Sequence, residues 1–384
     1  MTIQSSLSVR RAASRAVDPA TAIGELRAGL DQPNIGLAVF FCSPHYDRAE
    51  VSEALRREFD GIALIGCTTA GEIGPSGYEE DGISGFSLAG DDFTIETELI
   101  SNLQNLEIDQ GHHLAQRMMQ QLSTKVGTLT STNTFAFVLV DGLSVREEAL
   151  VSSIHRPLGD IHLFGGSAGD GLNFGQTQIW HNGEFHNDAA VLNLIHTDLP
   201  FKVFRTQHFV ETDAKLVVTE ADPLKRTVTE INAEPAAREY AKVVGMEVDE
   251  LSPMIFSAHP VVLRVGGDVF VRSIAKVNDD ESLSFFCAIE PGIVLTVAKG
   301  QDMVAGLNDA FEAVRSEIGE PQLTIGCDCI LRSLEGKDTG VREKLAAIFE
   351  ENGTIGFATY GEQFDSMHVN QTFTGVAIGQ KSMN

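Results

Sequence analysis

Residues 35–72 read IGLAVFFCSPHYDRAEVSEALRREFDGIALIGCTTAGE, and this stretch decides the architecture. Ile35 to Phe41 is a continuous apolar run, Tyr46 to Phe59 has helical spacing, and Ile62 to Cys67 is apolar again before small residues take over. Short runs that are apolar throughout read as strands buried on both faces. A strand, a helix and a strand in close succession predict a parallel pair joined by a right-handed crossover. The turn after Cys67 then falls at a sheet edge, where ligands commonly bind.

Working outward, the first 18 residues are polar and small, and Asp18-Pro19 offers an N-cap and a first-turn proline for a helix to about Leu30. Ile83 to Leu88 and Phe93 to Leu99 alternate on either side of Ala89-Gly90-Asp91-Asp92, which reads as a hairpin and makes the sheet mixed. An amphipathic stretch from Gln110 to Leu122 leads to a strand at Thr134 to Val140 and a helix over Ser144 to Ile154. From Phe164 to Val218 short strands dominate, with Trp180-His181-Asn182-Gly183-Glu184-Phe185 a strong hairpin signal. After a turn at Asp222-Pro223, helices are expected over Pro235 to Val244, Gln301 to Ile318 and Val341 to Glu351. Strands are expected between them, including Leu323 to Leu331, Thr354 to Tyr360 and Thr372 to Ile378. No fixed-period repeat is visible. The expected fold class is α/β (mixed α+β): two units of mixed sheets covered by helices, with a ligand pocket between or at the edge of the sheets. Residues 1–30 form a lead-in, 31–225 the first unit and 226–380 the second.

With 43% hydrophobic and 21% charged residues over 384, the chain has apolar mass for a full core. Five cysteines, an odd number at irregular spacing, point to a reducing compartment and a cytoplasmic protein. The apolar runs fall well short of the roughly 18–20 residues that span a bilayer, and no apolar stretch follows the arginines near the N-terminus, so neither membrane insertion nor secretion is expected. A formal charge of −26 repels phosphate backbones and anionic lipid, which excludes nucleic acid as a partner.

Two glycine-rich turns carry the chemistry. Gly165-Gly166-Ser167-Ala168-Gly169-Asp170-Gly171 satisfies the G-x-S-x-G pattern of a serine nucleophile, but Asp170, Gly171 and Asn173 favour turns where such a site needs a helix. No Gly-Lys-Ser or Gly-Lys-Thr follows to make a P-loop. The remaining readings are a tight turn that lets two sheets approach and a backbone-lined ligand pocket. Gly66-Cys67-Thr68-Thr69-Ala70-Gly71-Glu72 has the same logic, and no neighbouring base or cation marks Cys67 as reactive rather than simply buried. Cys327-Asp328-Cys329 is half of a thiolate metal site, and structural cysteine is the simpler reading. Arg264, Arg272 and Arg332 lie in or beside apolar strands, where each needs a carboxylate, carbonyls or an anionic ligand, and Glu362 after Tyr360-Gly361 is the natural opposite charge. Of eleven histidines, His208 and His259 sit on ordered apolar segments suited to an axial haem ligand. With no C-x-x-C-H, any haem b would be held noncovalently.

These two motifs, together with Thr359-Tyr360-Gly361-Glu362 and Met367-His368-Val369-Asn370-Gln371-Thr372, resemble the FIST family over nearly the whole chain. The resemblance implies an N-terminal and a C-terminal FIST domain and a small-ligand sensor of bacterial signal transduction. Its stand-alone members are similar to NosP-type haemoproteins, which sense nitric oxide and regulate a histidine kinase. On this basis the expected ligand-binding residues are Cys67, Thr68, Thr69, Gly165, Gly166, Ser167, Gly169, Asp170, Arg272, Arg332, Tyr360 and Glu362. No residue is expected to be catalytic. The alternatives are a hydrolase using Ser167 or Cys67 with a His–carboxylate pair beside it, and a docking module with an exposed apolar patch and no deep pocket.

Overall fold

The computed structural model describes residues 8–265 and 267–381. The chain builds one pattern three times. First come β1 (Val9–Ser14), α1 (Pro19–Gly29), β2 (Ile35–Cys42), α2 (Arg48–Glu58), β3 (Leu64–Thr68), a hairpin of β4 (Glu72–Gly74) and β5 (Gly77–Glu79), and β6 (Ile83–Ala89). The same order follows in β7 (Phe93–Ser101), α3 (Ile108–Val126), β8 (Thr134–Val140), α4 (Glu147–Leu158), β9 (Leu163–Ser167), the hairpin β10 (Ile179–His181)–β11 (Glu184–His186) and β12 (Ala189–Thr197).

The third copy opens with β13 (Phe201–Thr206) and is then interrupted. The insert comprises β14 (Phe209–Asp222), β15 (Thr227–Ile231), β16 (Glu234–Pro235), α5 (Ala236–Val244), α6 (Pro253–Ala258), β17 (Val261–Val265), β18 (Asp268–Arg272), β19 (Ile274–Val277), β20 (Leu283–Phe285) and β21 (Val294–Gly300). The copy then resumes with α7 (Met303–Ile318), β22 (Pro321–Cys329), α8 (Ile330–Asp338), α9 (Arg342–Glu351), β23 (Thr354–Thr359), the hairpin β24 (Glu362–Phe364)–β25 (Met367–Val369) and β26 (Phe373–Gly379).

Within each copy the strand order is the same: β1-β6-β2-β3, β7-β12-β8-β9 and β13-β26-β22-β23. The last two strands of each run are parallel and the other pairings antiparallel. That leaves β3, β9 and β23 as open edges, a state proteins avoid by covering or pairing the strand. Here each edge is closed by a neighbour's hairpin: β10 pairs β3, β24 pairs β9 and β4 pairs β23. The exchange runs in one direction round the ring, so no sheet is complete without the next copy.

The continuous apolar runs follow from this layering, because alternate side chains serve two cores. Leu37, Val39 and Phe41 of β2 join Phe135, Phe137 and Leu139 of β8 and Leu323, Ile325 and Cys327 of β22 in one central cluster, where Phe41 and Phe357 stack at 4.6 Å. The intervening Ala38 and Phe40 pack with α1 and α2, and Ala136, Val138 and Val140 with α3 and α4.

The protein is therefore a mixed α/β protein with helix-covered mixed sheets, made of a three-copy body and an inserted body whose eight strands pair antiparallel. Residue 225 lies in the β14–β15 turn, inside the insert, and the chain leaves the first body after Thr206 and returns at Gln301. Three expectations change. Val9–Ser14, inside the expected lead-in, is a strand of the first sheet. β6 and β7 do not form a hairpin: β6 is a central strand between β1 and β2, and β7 crosses to pair with β12. The strand expected to run to Leu331 ends at Cys329, where α8 begins.

Candidate functional site

The three glycine-bearing turns meet where the parallel strands end. Gly169 donates its N–H to the Thr68 carbonyl (3.0 Å), Ser167 N–H to the Gly361 carbonyl (2.8 Å) and Ala358 N–H to the Gly71 carbonyl (2.7 Å), so each turn is bound by its backbone to the next. The close approach explains the glycines. A Cβ on Gly169 would lie 2.8 Å from Ala70, and one on Gly142 would lie 2.1 Å from the Ala168 carbonyl oxygen.

At each of these junctions a carboxyl group takes a threonine hydroxyl and a backbone N–H near the start of the last strand. Glu72 takes Thr69 (2.5 Å) and Gly82 N–H (3.2 Å), and Glu362 takes Thr359 and Thr372 N–H (3.2 Å). The second junction keeps the groups but exchanges their places: Asp141, after β8, takes Thr177 and Asp188 N–H (2.6 Å). Burial pushes Glu72 and Glu362 up to about 8 and raises Asp141, so all three favour the neutral acid relative to an exposed carboxylate. Asp170 goes the other way. Burial raises it, but the Tyr360 hydroxyl and the N–H groups of Gln176, Gly175 and Phe174 outweigh that and hold it below the usual carboxylate range.

Beside the first junction opens a cleft of about 220 Å³. Its floor is Glu72 with the backbone of Ala70–Gly71, one wall is Tyr78 and the acidic run Glu79-Glu80-Asp81, and the opposite wall is α8. Ile330, Ser333, Leu334 and Lys337 of α8 face it at i, i+3, i+4 and i+7. The acidic wall is partly neutralised, since Arg342 bonds Glu80 and His45 meets Asp81 at 2.6 Å. Leu172, 59% exposed, stands at the rim on a loop that Asp170 ties down through Phe174, Gly175 and Gln176 N–H. The arrangement offers a small molecule fixed peptide groups and charges of both signs, beside a buried acid that the junction already holds.

The residues expected to bind ligand are brought together, but their side chains are consumed by the junctions. Cys67, Thr68, Thr69, Gly165, Gly166, Ser167 and Gly169 are buried with none of them lining this cleft. Burial raises the Cys67 thiol well above its ordinary value. Ser167 Oγ accepts from Gln363 Nε2 (3.0 Å), which in turn meets His368 Nδ1 (3.0 Å); an amide stands where a nucleophile would need its base. Glu362 takes no arginine; the three arginines are engaged elsewhere: Arg272 donates to the His368 carbonyl (2.9 Å), Arg332, now on α8, pairs with Asp328 (2.9 Å), and Arg264 with Glu211. Tyr360 donates its hydroxyl to Asp170, with the Gly171 carbonyl oxygen 2.9 Å from the same hydroxyl. His208 is buried between Glu335 (Nε2, 2.8 Å) and Arg332 (Nδ1, 3.4 Å), and His259 caps α6 with its carbonyl accepting from Tyr240. Cys327 and Cys329 are buried and free. The residues that do line the cleft were in view, Glu72 within a quoted motif and Ile330 to Lys337 at helical spacing, but the latter was hidden by reading the strand through to Leu331.

Residues 36–234 match the family model described as the FIST N domain, and residues 236–365 match the FIST C domain. No curated protein matches the chain. Among solved structures, a cyanuric acid hydrolase from A. caulinodans is similar at 8% sequence identity and a TM-score of 0.42, over 97% of this chain and 99% of that one.

Proposed function

The chain belongs to the FIST family, and from that premise we propose that it is a signal-transduction sensor whose ligand binds in the cleft beside Glu72. FIST domains are in general small-ligand sensing domains of signalling systems. The observation that supports this location is that the family's motifs spend their own side chains on holding three sheets together while leaving a cleft of about 220 Å³ at the first junction. That is smaller than the roughly 300–1,000 Å³ of a drug-sized site, so the ligand is a compact metabolite. Lys337 and Arg342 meet Glu80 at the cleft, so charges of both signs line it together, which suits a molecule carrying both charges. The test is thermal stabilisation and calorimetry with a panel of amino acids and other small zwitterions, on the wild type and on Ser333→Trp, which fills the cleft. A ligand that stabilises the wild type and not the variant is expected. Equal stabilisation of both moves the site elsewhere.

A narrower form, drawn from the resemblance to NosP-type haemoproteins, makes the ligand a noncovalent haem b, the signal nitric oxide and the listener a histidine kinase. His208 does not fit it as axial ligand, since both ring nitrogens are engaged and the side chain is 1% exposed. His259 is half-buried, and its ring is free of such bonds among the described residues. Haem reconstitution read by absorption decides this form: a Soret band that shifts with nitric oxide and is lost in His259→Ala supports it, and a colourless protein ends it.

A further inference from the structure

Granting that the cleft beside Glu72 takes the ligand, we propose that α8 is the transmitting element that couples occupation of the cleft to the seating of the insert. The helix is two-sided. One stripe, Ile330, Ser333, Leu334 and Lys337, is a wall of the cleft. The other carries Arg332 and Glu335, which hold the two ring nitrogens of His208.

His208 stands where the chain passes from β13 into the insert. The return is beside it: Gln301 N–H donates to the His208 carbonyl at 2.6 Å, and Phe209 pairs with Gly300. Both connections of the insert are therefore anchored on one face of α8, and α6 of the insert packs against the same helix. A second tie reaches the cleft directly, because Tyr78 on its opposite wall donates to Asp328 (2.5 Å), the partner of Arg332. The cleft wall, the α8 pair and the insert connections form one unbroken chain: Tyr78, Asp328, Arg332, His208, Glu335.

This chain is incompletely satisfied. Arg332 Nη2 and Glu335 Oε2 are buried without a hydrogen-bond partner, in a region where Arg332 is 1% exposed. A buried polar network left partly unsatisfied is energetically costly, so its pairing is sensitive to a shift of the helix that carries it. The seat of the insert is polar in the same way. Arg272 donates to the His368 carbonyl, Ser273 N–H to Asn370 and Gln371 to the Ser257 carbonyl, while Ser273 Oγ and Asn370 Nδ2 lack partners. A small shift of α8 therefore alters both connections at once, and a polar seat permits the insert to follow.

Hydrogen exchange measured by mass spectrometry on the full chain tests this without any ligand. Ser333→Trp fills the cleft, and Leu334→Trp replaces it if the first variant does not fold or its indole stays in water. Exchange over residues 207–215, 253–260 and 294–302 is expected to change about five-fold or more, the lower end of ordinary coupling energies. The same substitution in a His208→Gln background should leave those segments unchanged, although residues 70–81 still respond. A response confined to the cleft, or one that survives His208→Gln, overturns the proposal. Because the indole occupies the cleft itself, this outcome is separate from whether the metabolite panel finds a binder.

Discussion

Glu72 and Glu362 occupy equivalent points of the first and third copies, each at the start of a hairpin given to a neighbour's sheet. Each takes one threonine hydroxyl three residues before it and one backbone N–H near the start of the closing strand, and burial pushes each up to about 8. Their outlets differ. Above Glu72 lies the cleft; next to the third junction the insert lies across the body, with the Phe286 carbonyl accepting from His368 and from Arg226, and Arg226 clamped between Glu147 and Glu148 at 2.5 Å. The junction itself is thus a structural device, and access for a ligand is decided by what is laid over it.

The clamp is where this contrast is most easily broken. Arg226→Met leaves the buried Glu147, and the half-buried Glu148 beside it, without their cation, and removing one partner of a buried pair costs about 3–5 kcal/mol. Urea unfolding should show that loss, with faster hydrogen exchange over residues 363–371. A change under about 1 kcal/mol would mean the insert is held by other contacts. Next in size, Gly169→Val drives a side chain into Ala70 and should cost about 1–3 kcal/mol. A stability unchanged by it would show that the turns are not held in close register.

The paired acids offer a subtler comparison. A carboxyl raised in the folded state contributes stability that is fully present below its unfolded value, near 4.5, and is lost as pH rises through about 8. Melting temperatures between pH 5 and pH 9 should therefore fall less steeply in Glu72→Gln and in Glu362→Gln than in the wild type, by up to about 1.4 kcal/mol per pH unit for each acid. Only Glu72→Gln should also alter ligand binding. Equal effects of both on binding would erase the distinction between the junctions. The smallest effect belongs to the rim: Leu172→Ala should leave stability within about 0.5 kcal/mol of the wild type while weakening cleft binding in calorimetry.

How much of this was legible depends on whether the signal is local. β2, α2 and β3 follow from apolar runs and helical spacing, and Asn182-Gly183 at positive φ makes the expected hairpin between β10 and β11. The parallel pairing of β2 and β3 was equally visible. The three-fold pattern was not, because although 66–72 and 356–362 both read Gly-x-x-Thr-x-Gly-Glu, the second copy departs from that run and the third is split by the insert. Even the carboxyl changes place, from Glu72 and Glu362 after the turn to Asp141 before it. β6 and β7 misled for a related reason: their alternation is that of a hairpin, and only the partners supplied by distant strands decide otherwise. At the site, the motifs were found, and the structure shows their side chains bonded to one another. Sequence marks Cys67, Ser167 and Glu362 as special without saying whether they face a ligand or each other.

The ring of exchanged hairpins also sets a schedule for biosynthesis. β4 and β5 are made early, yet their receiving strand β23 pairs Gly356 with Ile73, roughly 280 residues further along. Until residues 354–359 have left the ribosome that hairpin has no sheet to join, and β9 keeps an open edge until β24 follows. Contacts of such long separation form slowly, and exposed edges in the meantime invite association with other nascent chains. A cell making this protein thus has to shelter an unfinished ring for much of the time its translation takes.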